Sequence, residues 1–191
     1  MTNRLKNLIK EAPVHERLIE VRSYPLGEDQ LIVEGRLRDE RLIQGYDWNG
    51  EQCSPGIIHL MSVRLLVGDW PVTIFDAEAE MEEIPHRLCS TILDGVRKLI
   101  GLQIMSGYGE KVNNLLGGIR GCNHLTYLIV SMGTAALHGY WTSYSRSRHP
   151  IPRSLDEFTG LSNLINSCKL WKEDGPIIKE IKDEMKRINL P

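Results

Sequence analysis

Residues 57–67 read Ile-Ile-His-Leu-Met-Ser-Val-Arg-Leu-Leu-Val. Eight of the eleven are apolar, and only His59 and Arg64 carry titratable groups. This is the strongest strand signal in the chain. Gly68-Asp69-Trp70-Pro71 turns the backbone, and residues 72–82 return as a partner strand. In that partner Val72, Ile74, Asp76, Glu78 and Glu80 share one face, and Thr73, Phe75, Ala77, Ala79 and Met81 share the other. The second set is expected to be the core face along its whole length. The three acids then point to solvent or into a cleft.

Upstream, residues 17–24 and 30–38 alternate in the same way about the turn Pro25-Leu26-Gly27-Glu28-Asp29, which predicts a hairpin. Residues 1–12 place Leu5, Leu8 and Ile9 on one side of a short amphipathic helix that Pro13 ends. Residues 39–56 are rich in Gly, Asp, Asn and Pro and predict a long loop carrying Tyr46, Trp48 and Cys53. Loops of that length often serve function; two aromatics there either cover a pocket or anchor the loop to the core.

Downstream of Pro85 the period becomes helical. Cys89, Ile92, Leu93, Val96 and Ile100 trace a stripe over residues 86–100, and a short helix is expected over 107–116. A glycine-bearing loop follows, Gly117-Gly118-Ile119-Arg120-Gly121-Cys122-Asn123-His124. It runs into a long helix over 123–144, about 33 Å in length at 1.5 Å per residue. Residues 143–153 read as a basic, proline-bearing linker, and 154–167 and 176–188 as two further helices. Strands come first and helices second. That order predicts an α+β fold, an antiparallel sheet with helices packed on one face. The domain reading is a helical arm over 1–16, an α+β core over 17–145, and a linker with C-terminal helices over 146–191.

The 191 residues are 41% apolar and 25% charged, with a formal net charge of −2. That balance gives no global field for nucleic acid or an anionic membrane. No apolar run approaches the ~20 residues needed to span a bilayer, and the N-terminus has no signal-peptide core. The expectation is a cytoplasmic protein. Four cysteines, at 53, 89, 122 and 168, are widely spaced and form no CxxC pair, which argues against a disulfide framework.

Chemistry concentrates where helices and strands begin. Three glycines free the backbone ahead of the long helix, and the helix start offers free N–H groups and a positive dipole end. A cysteine there gains thiolate character. His59 opens a strand, Cys89 opens one helix, and Cys122 with His124 opens another. If both helices direct their N-termini to one sheet edge, His59, Cys89, Cys122 and His124 converge as metal ligands, with Cys53 in the loop nearby. Thiolate with imidazole suits zinc, iron or an iron–sulfur cluster. His138 lies about 21 Å further along the same helix and belongs to surface or interface.

The same residues also support metal-free chemistry. Cys122 would be the nucleophile, His124 or His59 its base, and the loop N–H groups an oxyanion or phosphate cradle. Asp76 and Glu78 are further candidates for acid–base work or for orienting a ligand. The glycines match neither a Walker loop nor a dinucleotide fingerprint.

The runs MSVRLLV (61–67), VTIFDAEAEMEEIPHRLC (72–89), LIGLQIMSGYGEKVNNLLGGIRGCNHLTYLI (99–129) and NSCKLWKEDGPII (166–178) resemble the bacterial domain-of-unknown-function family 2889. The shared features are a histidine before the strong strand, Pro then Cys ahead of a helix, and Gly-Cys-x-His-Leu. That resemblance implies no activity. More distantly, the order of strand pair, Cys-initiated helix, short helix and Cys-initiated long helix is similar to NifU-like iron–sulfur cluster scaffolds. It implies metal on cysteines at Cys89 and Cys122, with the region Cys53 to His59 supplying the rest. The scaffold's Cys-Gly-Asp signature is missing here, and Gly121 precedes Cys122.

Three readings follow. The first is a Cys/His site of His59, Cys89, Cys122 and His124 holding zinc or iron, with an iron–sulfur cluster as a variant. The second is a metal-independent enzyme in which Cys122 and His124 act on a small organic substrate. The third is a homo-oligomer or protein-partner surface made by Tyr140, Trp141, Tyr144, Arg146, Arg148 and His149.

Overall fold

The computed structural model describes residues 3–158 and 160–188. Four long strands form one antiparallel sheet: β1 (His15–Leu26), β2 (Gln30–Arg41), β5 (Gly56–Gly68) and β6 (Thr73–Glu83), adjacent in that order. Between β2 and β5 the two-residue strands β3 (Gly45–Tyr46) and β4 (Gln52–Cys53) make a small separate hairpin. The expected loop over 39–56 is therefore shorter than its composition implied. Residues 39–41 belong to β2, and the tip leaves Tyr46 and Trp48 exposed rather than anchored. At the N-terminus the described part of the expected helix is a single 3-10 turn, Lys6–Leu8; Met1 and Thr2 lie outside the described residues.

One face of the sheet is the core. Across the strands the rows run Leu31–Val67–Ile74, Val33–Leu65–Ala77, Gly35–Val63–Ala79 and Leu37–Met61–Met81. The next row in the same phase is polar: Arg17–Asp39–His59. A bulge between Asp39 and Glu40 shifts the register just beyond it. A second bulge, where Val67 pairs Ile74 but Leu66 pairs Asp76, shifts the phase of β6. Val72 and Ile74 are buried before it, and Ala77 after it. The expected continuous core face Thr73–Phe75–Ala77 is corrected accordingly: one extra residue moves side chains to the opposite side.

The helical segment after β6 and the long helix that follows pack against the sheet. The segment Arg87–Leu99 is a continuous 3-10 helix, not the expected α-helix. Its buried line is Val96 and Leu99 with Leu93 packed alongside, spaced by three as 3.0 residues per turn requires. Ile100, expected on an α-helical stripe, is 43% exposed. Helix α1 spans Tyr108–Leu116 and α2 spans Asn123–Tyr144. Helix α2 buries Leu125, Leu128, Ile129, Met132 and Ala136. Each fully buried side chain of this size contributes roughly 1.5–3 kcal/mol of transfer free energy.

The helix runs opposite to β2. Gly139 touches Ser23 and Leu31, while Leu128 and Met132 press on Gly35. A Cβ on Gly35 would lie 2.5 Å from the Met132 sulfur, so this close crossing needs a residue without a side chain. The antiparallel run carries the N-terminus of α2 to the Asp39 end of the sheet. Beyond α2 come the 3-10 turn Leu155–Glu157, the one-turn α3 (Leu161–Leu164) and α4 (Pro176–Ile188). The first two replace the longer helix expected over 154–167; residue 159 lies outside the described residues. Among the described residues no helix is long and apolar enough to cross a membrane.

The opposite sheet face is a charge lattice. Arg64 reaches Glu34 (2.9 Å), Glu78 (3.3 Å) and Glu80 (2.7 Å), and Arg36 reaches Glu82 (3.1 Å).

Candidate metal centre

Asp39 occupies a core-phase position on β2, and its side chain is 3% exposed. A carboxylate so placed needs partners to offset lost hydration. Arg17, its cross-strand neighbour on β1, supplies a fork: Nε donates to Oδ1 at 2.5 Å and Nη2 to Oδ2 at 2.6 Å. His59, its neighbour on β5, brings Nδ1 to 3.2 Å from Oδ2. His124, in the first turn of α2, brings Nε2 to 3.7 Å from the same oxygen. His15 Nε2 lies 3.6 Å from Oδ1. The rings of His59 and His124 sit 4.0 Å apart between centroids, tilted by 34°.

Local chain geometry explains how His124 arrives. Gly118 adopts φ +59°, and Gly121 lies so close to the end of α1 that a Cβ would stand 2.6 Å from the Leu116 carbonyl oxygen. The buried Thr126 hydroxyl is within donating reach of the carbonyls of Leu116 (3.1 Å) and Cys122 (2.8 Å), tying the start of α2 to the end of α1. Cys122 is the N-cap, and no side chain caps the helix there.

The electrostatics follow from these contacts. The hydrogen bonds and charge of Arg17 hold the Asp39 carboxyl below its usual pKa, against the opposing effect of burial. Burial, then repulsion from His59 and Arg17, lowers the pKa of His124, with Asp39 pulling the other way. His124 is thus biased toward the neutral ring that ligates metals. The Nδ1 atom of His59 is buried and has no hydrogen-bond partner. It is close to Asp39 in distance but not directed at it as a bond.

Among the described residues one group of three potential ligands has its donor atoms all within 4.8 Å of one another: Asp39, His59 and His124. Two of these, His59 and His124, were singled out from the sequence. Asp39 was not, and neither were Arg17 and His15. A signal existed: Leu31, Val33, Gly35 and Leu37 set the core phase, and Asp39 continues it. Cys122 adjoins the group, with Sγ 3.7 Å from His124 Nδ1. Cys89, half-buried at the start of the 3-10 helix, and Cys53, whose Sγ faces the Glu51 carbonyl at 3.8 Å, are not part of it. Asp76 and Glu78 lie on the other sheet face, against Arg97 (3.7 Å) and Arg64.

Tyr144 and His149 lie together at the far end of α2. The two rings stack at 3.6 Å and 7°. With Trp141, Pro150, Pro152 and Phe158 they line an open cavity of about 350 Å³. His138 packs edge-on to Trp141 at 5.7 Å.

A family model, Protein of unknown function (DUF2889), matches residues 15–138. The chain belongs to that family, and the matched segment holds the whole sheet and every residue of the Asp39 cluster. The C-terminal resemblance over 166–178 lies beyond it. Neither the curated proteins nor the solved structures gave a match.

Proposed function

We propose that the chain is a metal-binding protein whose single ion, zinc or iron(II), is held by Asp39, His59 and His124. The observation that carries this reading is the convergence of three donor atoms from β2, β5 and α2 within 4.8 Å, with His59 Nδ1 buried and lacking a hydrogen-bond partner. Two imidazoles and one carboxylate suit zinc, or ferrous iron with positions left open for an outside ligand. The ion would act as a Lewis acid toward that ligand. A sulfur-ligated cluster fits this donor set less well, because neither Cys89 nor Cys122 joins it. The four cysteines are unpaired, which suits the reducing environment of the cytoplasm.

The test is metal content after anaerobic purification, followed by titration of stripped protein with zinc and with ferrous iron. One ion per chain, lost in His59→Ala and in His124→Ala, is the expected result. Absence of uptake by correctly folded wild-type protein overturns the reading.

A second reading rests on one alignment. His124 has Nδ1 3.7 Å from the Cys122 sulfur and Nε2 3.7 Å from Asp39. Thiol, imidazole and carboxylate follow in the order that a thiol nucleophile uses. Selective iodoacetamide labelling of Cys122 in metal-free protein, lost in His124→Gln, supports it; labelling that treats all four cysteines alike removes it.

A further inference from the structure

We infer that the ion at this centre takes an anionic oxygen ligand, the carboxylate or phosphate group of a small molecule, which Arg17 holds from the other side. This inference rests on the metal reading above and names the substrate class for the same site.

The argument is charge balance around a buried carboxylate in a partly sheltered place. A divalent ion brings two positive charges, and Arg17 adds a third that does not titrate away. Among the described residues Asp39 is the one carboxylate within ion-pairing distance of Arg17, His59 or His124. The neighbouring acids Glu16 and Glu40 turn to the opposite sheet face, where they meet Arg38. The loaded site would therefore carry two uncompensated positive charges. Neutral water alone leaves that excess in place; an anion on the ion reduces it.

The donors for such an anion are present. A guanidinium has five N–H groups, and Asp39 takes one from Nε and one from Nη2. Three remain on a side chain that is 38% exposed. The same corner receives the N-terminus of the 22-residue α2, which has no side-chain cap. Its first N–H groups and the positive end of its dipole favour an anion. The fork to Asp39 also fixes the guanidinium plane, so the free edge is presented without further ordering. A cationic or purely apolar substrate meets three positive features at this place and is disfavoured.

The experiment uses full-length protein loaded with cobalt(II), whose visible spectrum reports its ligands. Sodium acetate and inorganic phosphate are titrated at constant ionic strength, with acetamide as the neutral control. A saturable spectral change with acetate or phosphate, and none with acetamide, is expected; the better of the two probes identifies the headgroup. In Arg17→Gln the anion affinity of the cobalt-loaded protein should fall at least tenfold, read at cobalt concentrations that keep the site full, because loss of the fork to Asp39 also weakens the metal. Arg17→Lys, which keeps the charge and the strand, should fall between the two and guards against misfolding of the first variant. Cobalt uptake with no anion response, or an anion response unchanged in both variants, overturns the inference and leaves the metal reading standing. Failure of the wild type to bind cobalt removes both.

Discussion

Asp39 and His59 face each other across the β2–β5 ladder, with the imidazole Nδ1 3.2 Å from a carboxylate oxygen. They continue, in register, the rows that form the hydrophobic core. The centre is therefore an extension of the core into polar chemistry, and its geometry is set by strand pairing. Asp39→Asn should remove metal uptake. It should also cost about 2–3 kcal/mol in urea unfolding of the metal-free protein, because Arg17 then loses a charged, forked partner. A variant that keeps full metal stoichiometry would refute Asp39 as a ligand.

The pH dependence has a defined sign. The unfolded chain protonates His124 near its ordinary value of 6.5, while the folded chain resists. Stability of the metal-free protein should therefore fall as pH drops below about 6.5. Asp39 acts in the same sense at lower pH. Its contribution is complete above its ordinary value of 3.8 and is lost as pH falls through the lowered one. Unfolding free energies measured across this range should show both limbs. His124→Gln should flatten the upper limb and leave the lower.

Cys122 tests the edge of the centre. Its sulfur stands on the Nδ1 side of His124, away from Asp39. If Nε2 takes the ion, the thiol is a partner for the remaining ring N–H. Cys122→Ser should weaken metal binding by about tenfold and not abolish it, as changes to groups behind a ligand do. Complete loss of the ion in isothermal titration would instead make the sulfur a direct ligand.

The crossing of α2 over β2 depends on Gly35. Gly35→Ala puts a methyl group against the Met132 sulfur and should cost about 1–3 kcal/mol through overpacking. Combined with Met132→Ala, part of that cost should return. Additive losses in the double variant would show that the two positions do not share one contact.

On the far sheet face, Glu78→Gln and Asp76→Asn should each leave metal binding unchanged. Arg64→Gln should cost no more than about 1 kcal/mol, since two of its three acidic partners, Glu78 and Glu80, are largely exposed and their pairing is weakened by solvent. Loss of the ion in either acid variant would contradict the placement of the centre.

Much of the fold was legible from periodicity. Alternation located β1, β2 and β6, a dense apolar run located β5, and the three- and four-residue spacing of Leu125, Leu128, Ile129 and Met132 located α2. The 3-10 winding of Arg87–Leu99 was not legible, because over one or two turns its apolar spacing overlaps that of an α-helix. Nor was the β6 bulge, which alters which residues face inward without altering composition. At the site, His59 and His124 stood out as residue types at element ends. Asp39 was hidden by its neighbours: the Gly-, Asn- and Asp-rich stretch after it reads as loop, and an acid at the boundary joins the loop on composition alone. Arg17 and His15 become visible only when the hairpin register is known.

The charged lattice on the far side of the sheet guards the alignment of the strands. In the native register Arg22 faces Glu34 and Glu20 faces Arg36. A slide of β1 by two residues keeps the greasy side inward, so the core alone does not forbid it. Yet it sets Arg22 opposite Arg36, or Glu20 opposite Glu34, according to direction. Like charges thus oppose the shifts that hydrophobic burial would tolerate. Because Arg17, Asp39 and His59 meet only when the strands are correctly aligned, this outer lettering of charge proofreads the pocket on the other side.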